Sequence, residues 1–430
     1  MKTRQTTRIR TIRQGARALL YGLTCGVALA TAGSALANPP DDAEFLFIQA
    51  LEERDNGDLQ HAIDRFHSIL QQHPHLQRAR LELAVAYLQA LNFAEARSQA
   101  EQVLQDPNTP EGVRLRVQAF IERLNEAGQR HRSSPYLSLG AIFDSNVNAG
   151  PDQDTFGLPG GGTIGLVPSA LSRSDNGLEF SAGISHRYLA PNTVHLFGRD
   201  AALLWFNRAS GYLLRYGNES DRDLDVISLS SGPMLVAARK WRLGANLLFD
   251  HARLDRNNYL RSVAINPSAA FPVGSQGSEF ALDLLLQKRD YLRAVDNRRD
   301  SHYHHIAGQY RHAVNSQTAL QARAELFREN ADGSSFSNKG LRANLGASFK
   351  LNPETDLHTR IVMQRTHYNT DPLFQLRRKD DQFRLVLALS HNFAPGWGIE
   401  GSLAHTHNTS NVDLYDYKRN LLALRMNRRF

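Results

Sequence analysis

Hydrophobic and polar residues follow two different patterns along this chain. Over residues 134–430, apolar and polar residues alternate in short runs, with Asn, Gly, Pro and Asp between the runs. A period of two places one face of a strand in lipid or in a core and the other face in water. Over residues 41–128 the pattern is that of amphipathic helices. We therefore predict an α+β chain with a helical region followed by a long antiparallel sheet.

The alternating region is long enough to form a closed transmembrane β-barrel. Roughly 21 residues per strand and connection give about fourteen strands. Short and long connections alternate, with both ends of the sheet on the short-turn side, as a membrane barrel requires. Strands are predicted at 136–149, 177–190, 194–216, 223–236, 239–252, 258–272, 277–291, 301–314, 316–330, 339–350, 355–369, 380–393, 397–409 and 417–430.

The predicted connections differ in length and charge. The longest, 150–174, is rich in Gly and Pro and should be the first surface loop. It could fold inward or contact a transported molecule, and a disordered tip is an equal alternative. Tight turns are predicted at 190–193, 272–274, 315–316, 352–354 and 394–396. Longer, more charged loops are predicted at 217–222, 293–300, 329–338 and 371–379.

The last strand has a regular apolar pattern. Apart from Arg428, every second residue from Leu422 is apolar, and the chain ends on Phe430. Bacterial outer-membrane barrels usually close on such a strand, which is also the signal read by the barrel assembly machinery. We therefore predict an outer-membrane protein in contact with lipid and with that machinery. The predicted assembly signal comprises Tyr417, Leu422, Leu424, Met426 and Phe430.

The helical region contains two helix pairs related by a shift of 34 residues, which aligns Ala50 with Ala84 and Ala62 with Ala96. This period is typical of tetratricopeptide repeats, which bind protein segments on a concave face. A helical bundle with chance periodicity is the alternative. Helices are predicted at 43–54, 59–72, 76–90, 93–105 and 111–127. Candidate concave-face contacts are Arg78, Leu81, Val85 and Gln89.

The first 37 residues predict a secretory signal. They have a basic start, an apolar stretch over 18–30 and small residues before Asn38. An uncleaved anchor is the alternative, although the apolar stretch is shorter than the ~20 residues that a spanning helix needs. Cys25, the only cysteine, would leave with the signal. The predicted domains are the signal at 1–37, a periplasmic helical domain at 38–129, a hinge at 130–135 and the barrel at 136–430.

Charge and hydropathy narrow the function classes. The formal net charge is +7, but six Lys and Arg lie in the predicted signal, which carries no acid, so the remainder is +1. A nucleic-acid partner therefore loses its main support. The mean hydropathy of −0.43 argues against buried helical spans. It does not argue against a barrel, since half of each strand faces water.

Candidate catalytic chemistry is sparse. The cluster His302-Tyr303-His304-His305 could contact a metal or haem, but such a run is more often a polar lumen or rim. His405 and His407 alternate in the same way near a loop. The sequence has no HExxH motif, no phosphate-binding loop with its lysine and no motif for a Ser/His/Asp site. We predict no enzyme activity, no metal and no cofactor.

The order of parts and two local motifs resemble the surface lipoprotein assembly modulator (Slam) family. The first motif is the run Asp-Ser-Asn-Val-Asn at 144–148, and the second is the ending, 415–430. The resemblance covers essentially the whole chain after the predicted signal. It implies a fourteen-stranded outer-membrane barrel with a periplasmic repeat domain. In this motif, Asp144, Asn146 and Asn148 alternate on one face and could line the lumen, contact a client or satisfy the polar interior, and we favour the last role.

The resemblance also implies a function, the movement of a client protein across the outer membrane. The client would be a surface lipoprotein or a soluble secreted protein, often one that serves iron or haem capture. A polysaccharide export porin is the first alternative, but it generally needs a longer repeat array and a lumen rich in one charge sign, and neither is evident. A passive channel or nutrient receptor, with the helices as a plug or scaffold, is the second alternative.

Overall fold

The structure, a computed structural model, describes residues 42–157, 162–274, 277–371 and 375–430. The predicted signal, 1–37, lies outside the described residues. Among the helices that the structure describes, none is both long enough and apolar enough to cross a membrane.

Five helices open the described chain, each within one residue of its predicted bounds. Gly57, with φ +76°, forms the turn between the first two helices. Asn92 caps the fourth helix, where its side chain accepts a hydrogen bond of 3.3 Å from the Glu95 amide. The helices are α1 (Asp42–Asp55), α2 (Leu59–Gln72), α3 (Gln77–Gln89), α4 (Phe93–Gln105) and α5 (Glu111–Gly128), which together we call the helical module.

Small residues bring these helices into close contact, as the repeat pattern predicts. Ala50, Ala62, Ala84 and Ala96 are all fully buried. Larger apolar side chains surround them in two adjoining clusters. Phe66 in the first cluster is also fully buried, and full burial of such a side chain contributes about 1.5–3 kcal/mol. The predicted helix pairs are therefore present and packed.

Within the described residues, sixteen strands follow the helical module, and fourteen of them form one closed antiparallel barrel. The strands are β1 (His131–Asp144), β2 (Thr155–Gly157), β3 (Thr163–Gly165), β4 (Asp175–Leu196), β5 (Arg199–Tyr216), β6 (Leu224–Ala237), β7 (Trp241–Leu254), β8 (Asn257–Pro272), β9 (Ser278–Tyr291), β10 (Ser301–Ala313), β11 (Thr318–Ala331), β12 (Asn338–Asn352), β13 (Thr355–Asp371), β14 (Leu376–Ala394), β15 (Trp397–Ser410) and β16 (Tyr417–Arg429). The number and order of barrel strands confirm the prediction.

The barrel closes where β1 pairs with β16. This seam joins residues 136–144 to residues 421–429, whereas the other edge of β1 pairs with β4 over 131–144. β2 and β3 pair only with each other, as a small hairpin inside the first long loop. A closed sheet has no unpaired edge in lipid, which is why barrels can cross a membrane.

Alternation gives the barrel an apolar outer face and a polar inner face. Leu139 and Phe143 of β1 are exposed, and Met426 and Leu422, directly opposite them on β16, are exposed too. Paired positions share a face, so exposed apolar residues continue from strand to strand as a belt. The intervening residues point into the lumen. This distribution is that of a barrel surrounded by lipid.

The two ends of the barrel carry different connections. The turn-side rim is the end with the helical module, the last residue and the short hairpins. The loop-side rim is the opposite end, with the connections after β1, β5, β7, β9, β11, β13 and β15. The β7–β8 connection is shorter than the other loops of this rim. It is a two-residue turn of Asp255 and Arg256, with φ of 51° and 61°.

The predicted hinge at 130–135 is wrong, because most of it is strand. Residues 131–135 belong to β1 and pair with residues 184–188 of β4. The ladder with β16 begins at Tyr136, opposite Arg429, and next to it the Pro135 carbonyl accepts a hydrogen bond of 3.2 Å from the Phe430 amide. Pro135 therefore lies at the end of the seam, where a missing N–H costs least. The first strand therefore begins and ends earlier than the predicted 136–149.

The predicted tight turn at 190–193 is also wrong. β4 continues through these residues, and its ladder with β5 shifts register there. Pro191 cannot donate to a ladder and falls at this irregularity. The turn lies instead at Phe197 and Gly198, whose φ values of 52° and 68° suit a two-residue hairpin. The predicted strand 194–216 is therefore divided between β4 and β5.

Candidate functional site: the barrel lumen and its two rims

A buried carboxylate joins three strands at the loop-side rim. Asp144 is completely buried at the end of β1. It accepts hydrogen bonds from Arg419 Nε at 2.9 and 3.0 Å and from the Tyr216 hydroxyl at 3.1 Å. Arg419 Nη2 also pairs with it. Because Arg419 is on β16 and Tyr216 on β5, this cluster fixes the barrel seam from the lumen side.

The two motif asparagines hold the start of the first long loop. Asn146 Nδ2 donates to the carbonyls of Gly150 at 2.8 Å and Lys418 at 3.0 Å, and its Oδ1 accepts from the Gly150 amide at 2.9 Å. Asn148 Nδ2 donates to the carbonyl of Leu171 at 2.7 Å. These side chains use their hydrogen bonds within the chain, which favours the structural interpretation. Contact of Asp144, Asn146 or Asn148 with a client stays a prediction.

The first long loop lies along the rim, against its neighbours. Phe156 of β2 is buried in a cluster with Val412, which is in the β15–β16 connection. Leu166 from the same loop and Leu376 of β14 pack against this cluster. The hairpin within 150–174 is thus attached to the β15–β16 connection and to the start of β14 at the loop-side rim.

Ion pairs occupy much of the inner wall. Asp283 on β9 accepts from Arg323 Nη2 at 3.0 Å and lies 2.9 Å from His305 Nε2. Glu325, on β11, pairs with Arg342 of β12 at 2.7 Å. These acids are buried or half-buried, and each is paired with a cation. The inner wall is therefore polar and internally satisfied along this stretch.

A second inner network crosses the seam. Arg425 of β16 lies 2.5 Å from Glu179 on β4 and 3.1 Å from Glu400 on β15. The pair with Glu179 passes over Gly140 of β1, where a Cβ atom would come within 2.9 Å of the carboxylate and 3.0 Å of the arginine side chain. A glycine at this position leaves the space that the ion pair needs.

The inward-facing charges that are exposed to the lumen are of one sign. Away from the first two and the last two residues of each strand, the described inward carboxylates are buried or half-buried, whereas five inward cations are exposed. This corrects the sequence-based statement that a lumen rich in one charge sign is not evident. Strand parity, which assigns alternate residues of a strand to the inner face, could have identified these cations from the sequence. The exposed cations are Arg208, Arg311, Lys350, Arg360 and Arg384.

The four candidate contacts of the helical module have different environments. Arg78 is exposed and stacks 4.6 Å from the centre of an aromatic ring of α1. Leu81 and Val85 are partly buried and pack against the second core cluster. Gln89 Oε1 accepts a hydrogen bond of 3.3 Å from the barrel residue Arg239. Gln89 is thus engaged in docking, and a client contact by any of the four stays a prediction.

One arginine of the turn-side rim contacts both helix pairs. Arg239 Nη1 donates to the carbonyl of Arg54, in α1, at 2.8 Å and to the side chain of Gln89, in α3, at 3.3 Å. Nearby, Arg199 of β5 lies 3.5 Å from Asp58. The helical module therefore rests on the hairpins β4–β5 and β6–β7.

The link from α5 to β1 is also attached to the barrel wall. Arg187 of β4 donates through Nη2 to the carbonyls of Ala127 at 2.9 Å and Gln129 at 3.1 Å. Since free carbonyls end a helix, this arginine also serves as a cap for α5.

The residues of the predicted assembly signal lie on two faces. Leu422, Leu424, Met426 and Phe430 are exposed on the outer surface. Tyr417 is half-buried on the inner face, where its hydroxyl accepts a hydrogen bond of 3.1 Å from a glutamine of β14. The four apolar residues are placed to contact lipid, whereas recognition by the assembly machinery stays a prediction.

Arg428 interrupts the apolar alternation of β16 at the turn-side rim. Its guanidinium lies 5.0 Å from the ring centres of Trp397 and Phe430, and Nη1 donates to the Pro395 carbonyl at 2.7 Å. A long side chain at a membrane boundary can lie along apolar surface and place its charge in the polar layer. Aromatic residues are typical of the same boundary.

The histidine cluster does not converge on one point. His302 and His304 share the outer face of β10, and His305 lies on the inner face beside Asp283. Within the described ranges, no group of three or more His, Cys, Asp or Glu side chains is arranged to hold a metal ion.

Comparisons with known proteins give matches for both regions. The tetratricopeptide repeat model matches residues 53–119, and a model described as a protein of unknown function (DUF2860) matches residues 290–427. A "Surface lipoprotein assembly modifier" of Pasteurella multocida is 21% identical over 415 residues, which cover 91% of this chain and 77% of the relative. A "Hemophilin secretion modulator" of Acinetobacter baumannii is 23% identical over 411 residues, 89% of this chain and 78% of the relative.

Solved structures match the barrel with low similarity. The outer membrane channel DcaP of Acinetobacter baumannii has a TM-score of 0.38 at 12% identity, over 70% of this chain and 97% of that chain.

Proposed function

We propose that this chain, which is similar to a surface lipoprotein assembly modifier over most of its length, moves a client polypeptide from the periplasm to the cell surface. The barrel lies in the outer membrane, with the helical module in the periplasm. One relative is named for surface lipoprotein assembly and the other for hemophilin secretion. The proposed client is accordingly an exported protein, either a surface lipoprotein or a soluble protein such as one that captures haem.

The docking of the helical module at the turn-side rim is the observation that carries this proposal. Arg239 contacts both helix pairs, so the repeats are held beside the periplasmic mouth of the lumen. Tetratricopeptide repeats bind protein segments on their concave side. A client bound there would already be next to the barrel, at high effective concentration.

The proposed route runs from the helices into the lumen. The sequence has no phosphate-binding loop motif, and the proposed route uses no nucleotide. Folding of the client outside the cell, or its capture by the loop-side rim, would give the movement its direction. Binding and conduction require no covalent step, and we propose no enzyme activity.

The outer face of β16 suggests two further partners, the barrel assembly machinery and the lipids of the outer membrane. We propose that Leu422, Leu424, Met426 and Phe430 form the signal by which the barrel assembly machinery inserts the chain. After insertion, the same side chains contact the lipids of the outer membrane. Tyr417, on the inner face, belongs to this signal only through its position in the last strand.

Surface proteolysis tests the proposal. The candidate client is any exported protein encoded by a neighbouring gene, and its cleavage by added protease is compared in cells with and without the chain. Deletion of residues 42–128 should abolish cleavage while the barrel still inserts. Arg239→Ala should reduce it, and Arg256→Ala, at the loop-side rim, is the matched control that should not. Client cleavage that is independent of this chain, with an intact outer membrane, would refute transport.

A further inference from the structure

The exposed inner cations are placed by strand parity. Arg360 lies between Thr359 and Ile361 on β13, and Arg384 lies on β14, between residues that face lipid. Arg360 pairs with Val386, two positions from Arg384, so the two arginines are diagonal neighbours on one face. Diagonal neighbours in a sheet are about 7–8 Å apart, close enough to act on one ligand.

Arg208 and Arg311 extend this arrangement to other walls. Arg208 shares the inner face of β5 with Tyr212, which donates to the inner carboxylate Glu179 at 3.0 Å. Arg311 lies on the inner face of β10, near the turn-side rim. Lys350 is exposed too but lies opposite Asp356 in the ladder, and we leave it out. We call Arg208, Arg311, Arg360 and Arg384 the arginine track.

Among the described residues, the arginine track lacks the carboxylate partners that the other inner arginines have. Arg323, Arg342 and Arg425 each pair with a carboxylate. Across the part of the chain that the structure describes, the four arginines of the track form no ion pair. A paired arginine is largely neutralised, whereas an exposed and unpaired one attracts anions. The low-dielectric walls of a lumen strengthen this field.

The helical module has the opposite charge. Residues 42–129 contain eight Lys and Arg against fourteen Asp and Glu, a net charge of −6. An acidic segment is therefore repelled by the module and attracted by the lumen. Since the module stands at the turn-side rim, this difference directs such a segment from the module into the barrel.

We propose that the arginine track binds acidic stretches of the client polypeptide during its passage through the lumen. This inference rests on the proposed transport function. Guanidinium groups bind carboxylates through paired hydrogen bonds. Exposed ion pairs are individually weak, so a segment can exchange one arginine for the next and then leave. A polypeptide is favoured over other polyanions because the module beside the mouth is of a protein-binding type.

Peptide binding to the purified full-length protein tests the track. The probes are fluorescent deca-glutamate and deca-glutamine peptides. The wild type should bind deca-glutamate more tightly, and added salt should weaken the binding. R208Q/R311Q/R360Q/R384Q should bind it about tenfold more weakly. The matched control R256Q/R298Q/R328Q/R377Q, which removes four exposed arginines outside both the lumen and the helical module, should bind like the wild type.

The results of the peptide-binding experiment either support the arginine track or overturn it. Equal binding by wild type, track variant and control, or no preference for deca-glutamate, overturns the proposal. Tighter binding of an oligogalacturonate, with the same dependence on the track and no deca-glutamate binding, assigns the lumen to an acidic polysaccharide instead. If the fourfold variant loses the heat-modifiable migration of a folded barrel, R360Q/R384Q replaces it.

The failure of this inference differs from the failure of the transport proposal. If the client reaches the surface independently of this chain, transport is refuted whatever the peptide binds. If client display requires the chain but the track variant displays it as well as the wild type and binds deca-glutamate normally, only the track is refuted.

Discussion

The helical module and the barrel bury opposite kinds of side chain. In the module, apolar residues such as Phe66 are inside and charges are on the surface. In the barrel, apolar residues such as Leu424 face outward, while charged pairs such as Asp144–Arg419 line the interior. Removal of an apolar side chain should therefore destabilise the module more than the barrel. Removal of an ion pair should destabilise the barrel more than the module.

The largest effect should come from truncation of the module core. Phe66→Ala removes a fully buried ring and should lower the free energy of unfolding of the module by about 3–5 kcal/mol. Leu424→Ala, on the lipid face of the barrel, should change stability far less, because detergent or lipid fills the space. Thermal unfolding followed by circular dichroism measures both. Phe45→Ala, at an exposed ring of α1, is the control within the module, and an equal loss for Phe45 and Phe66 would contradict the packing described.

The next largest effect should come from the buried ion pair of the barrel. Asp144→Asn leaves Arg419 without its carboxylate and should cost about 3 kcal/mol, the lower end for a broken buried pair, because Arg419 is partly exposed. The matched variant is Asp381→Asn, whose pair with Arg365 is exposed and should be worth at most about 1 kcal/mol. The temperature at which the heat-modifiable barrel unfolds is the measurement. Similar shifts for the two variants would show that burial does not separate them.

A smaller effect should come from the contact between the two regions. Arg239→Ala removes hydrogen bonds to both helix pairs and should weaken docking by about 1–3 kcal/mol without unfolding either region. Spin labels on α5 and on the β4–β5 hairpin should give a broader distance distribution in the variant. Arg256→Ala, at the other rim, should leave that distribution narrow.

The smallest effect should be a pH dependence at the same contact. The hydrogen bond of 2.8 Å between Asp58 and His61 lowers the pKa of Asp58 and raises the pKa of His61. The stability from Asp58 is present above its ordinary pKa of 3.8 and is lost as the pH falls through the lowered value. The stability from His61 is present below its ordinary pKa of 6.5 and is lost as the pH rises through the raised value.

The Asp58–His61 pair lies within the helical module, whereas Arg199 of the barrel pairs with the same Asp58 carboxylate. Docking should therefore weaken as the pH falls through the lowered pKa of Asp58, because Arg199 then loses its anionic partner. The same spin-label distances, recorded as a function of pH, measure this dependence. Asp58→Asn should flatten it, and Asp64→Asn, at an exposed acid of α2, should not.

Most of the fold was predictable from local sequence patterns. The spacing of Ala62 and Ala96 predicts the helix pairs, and alternation predicts fourteen strands, because both are set by neighbours within one element. Pro191 suggested a turn, yet a register shift accommodates it inside β4, and the turn is at Phe197 and Gly198. A sequence pattern shows where a chain can turn, but the pairing of the strands decides which of these positions becomes the turn.

The candidate site was less accessible from sequence. The pairing of Asp144 with Arg419 joins residues from opposite ends of the barrel region, and only ring closure brings them together. Part of the arginine track was predictable from the sequence, because strand parity assigns Arg360 and Arg384 to the inner face. The lack of ion pairs was not predictable, because it depends on which carboxylates pair with other arginines, and the sequence of a single strand does not show this.

The absence of a hinge between the helices and β1 has a mechanical consequence. α5 passes almost directly into β1, and Arg187 holds the junction against β4. A load applied to the helical module is therefore transmitted to β1 instead of being absorbed by a flexible tether. β1 is also the strand that closes the barrel, through a seam shorter than its pairing with β4. Any force on the helical module is thus applied to the strand at which the two ends of the barrel sheet meet.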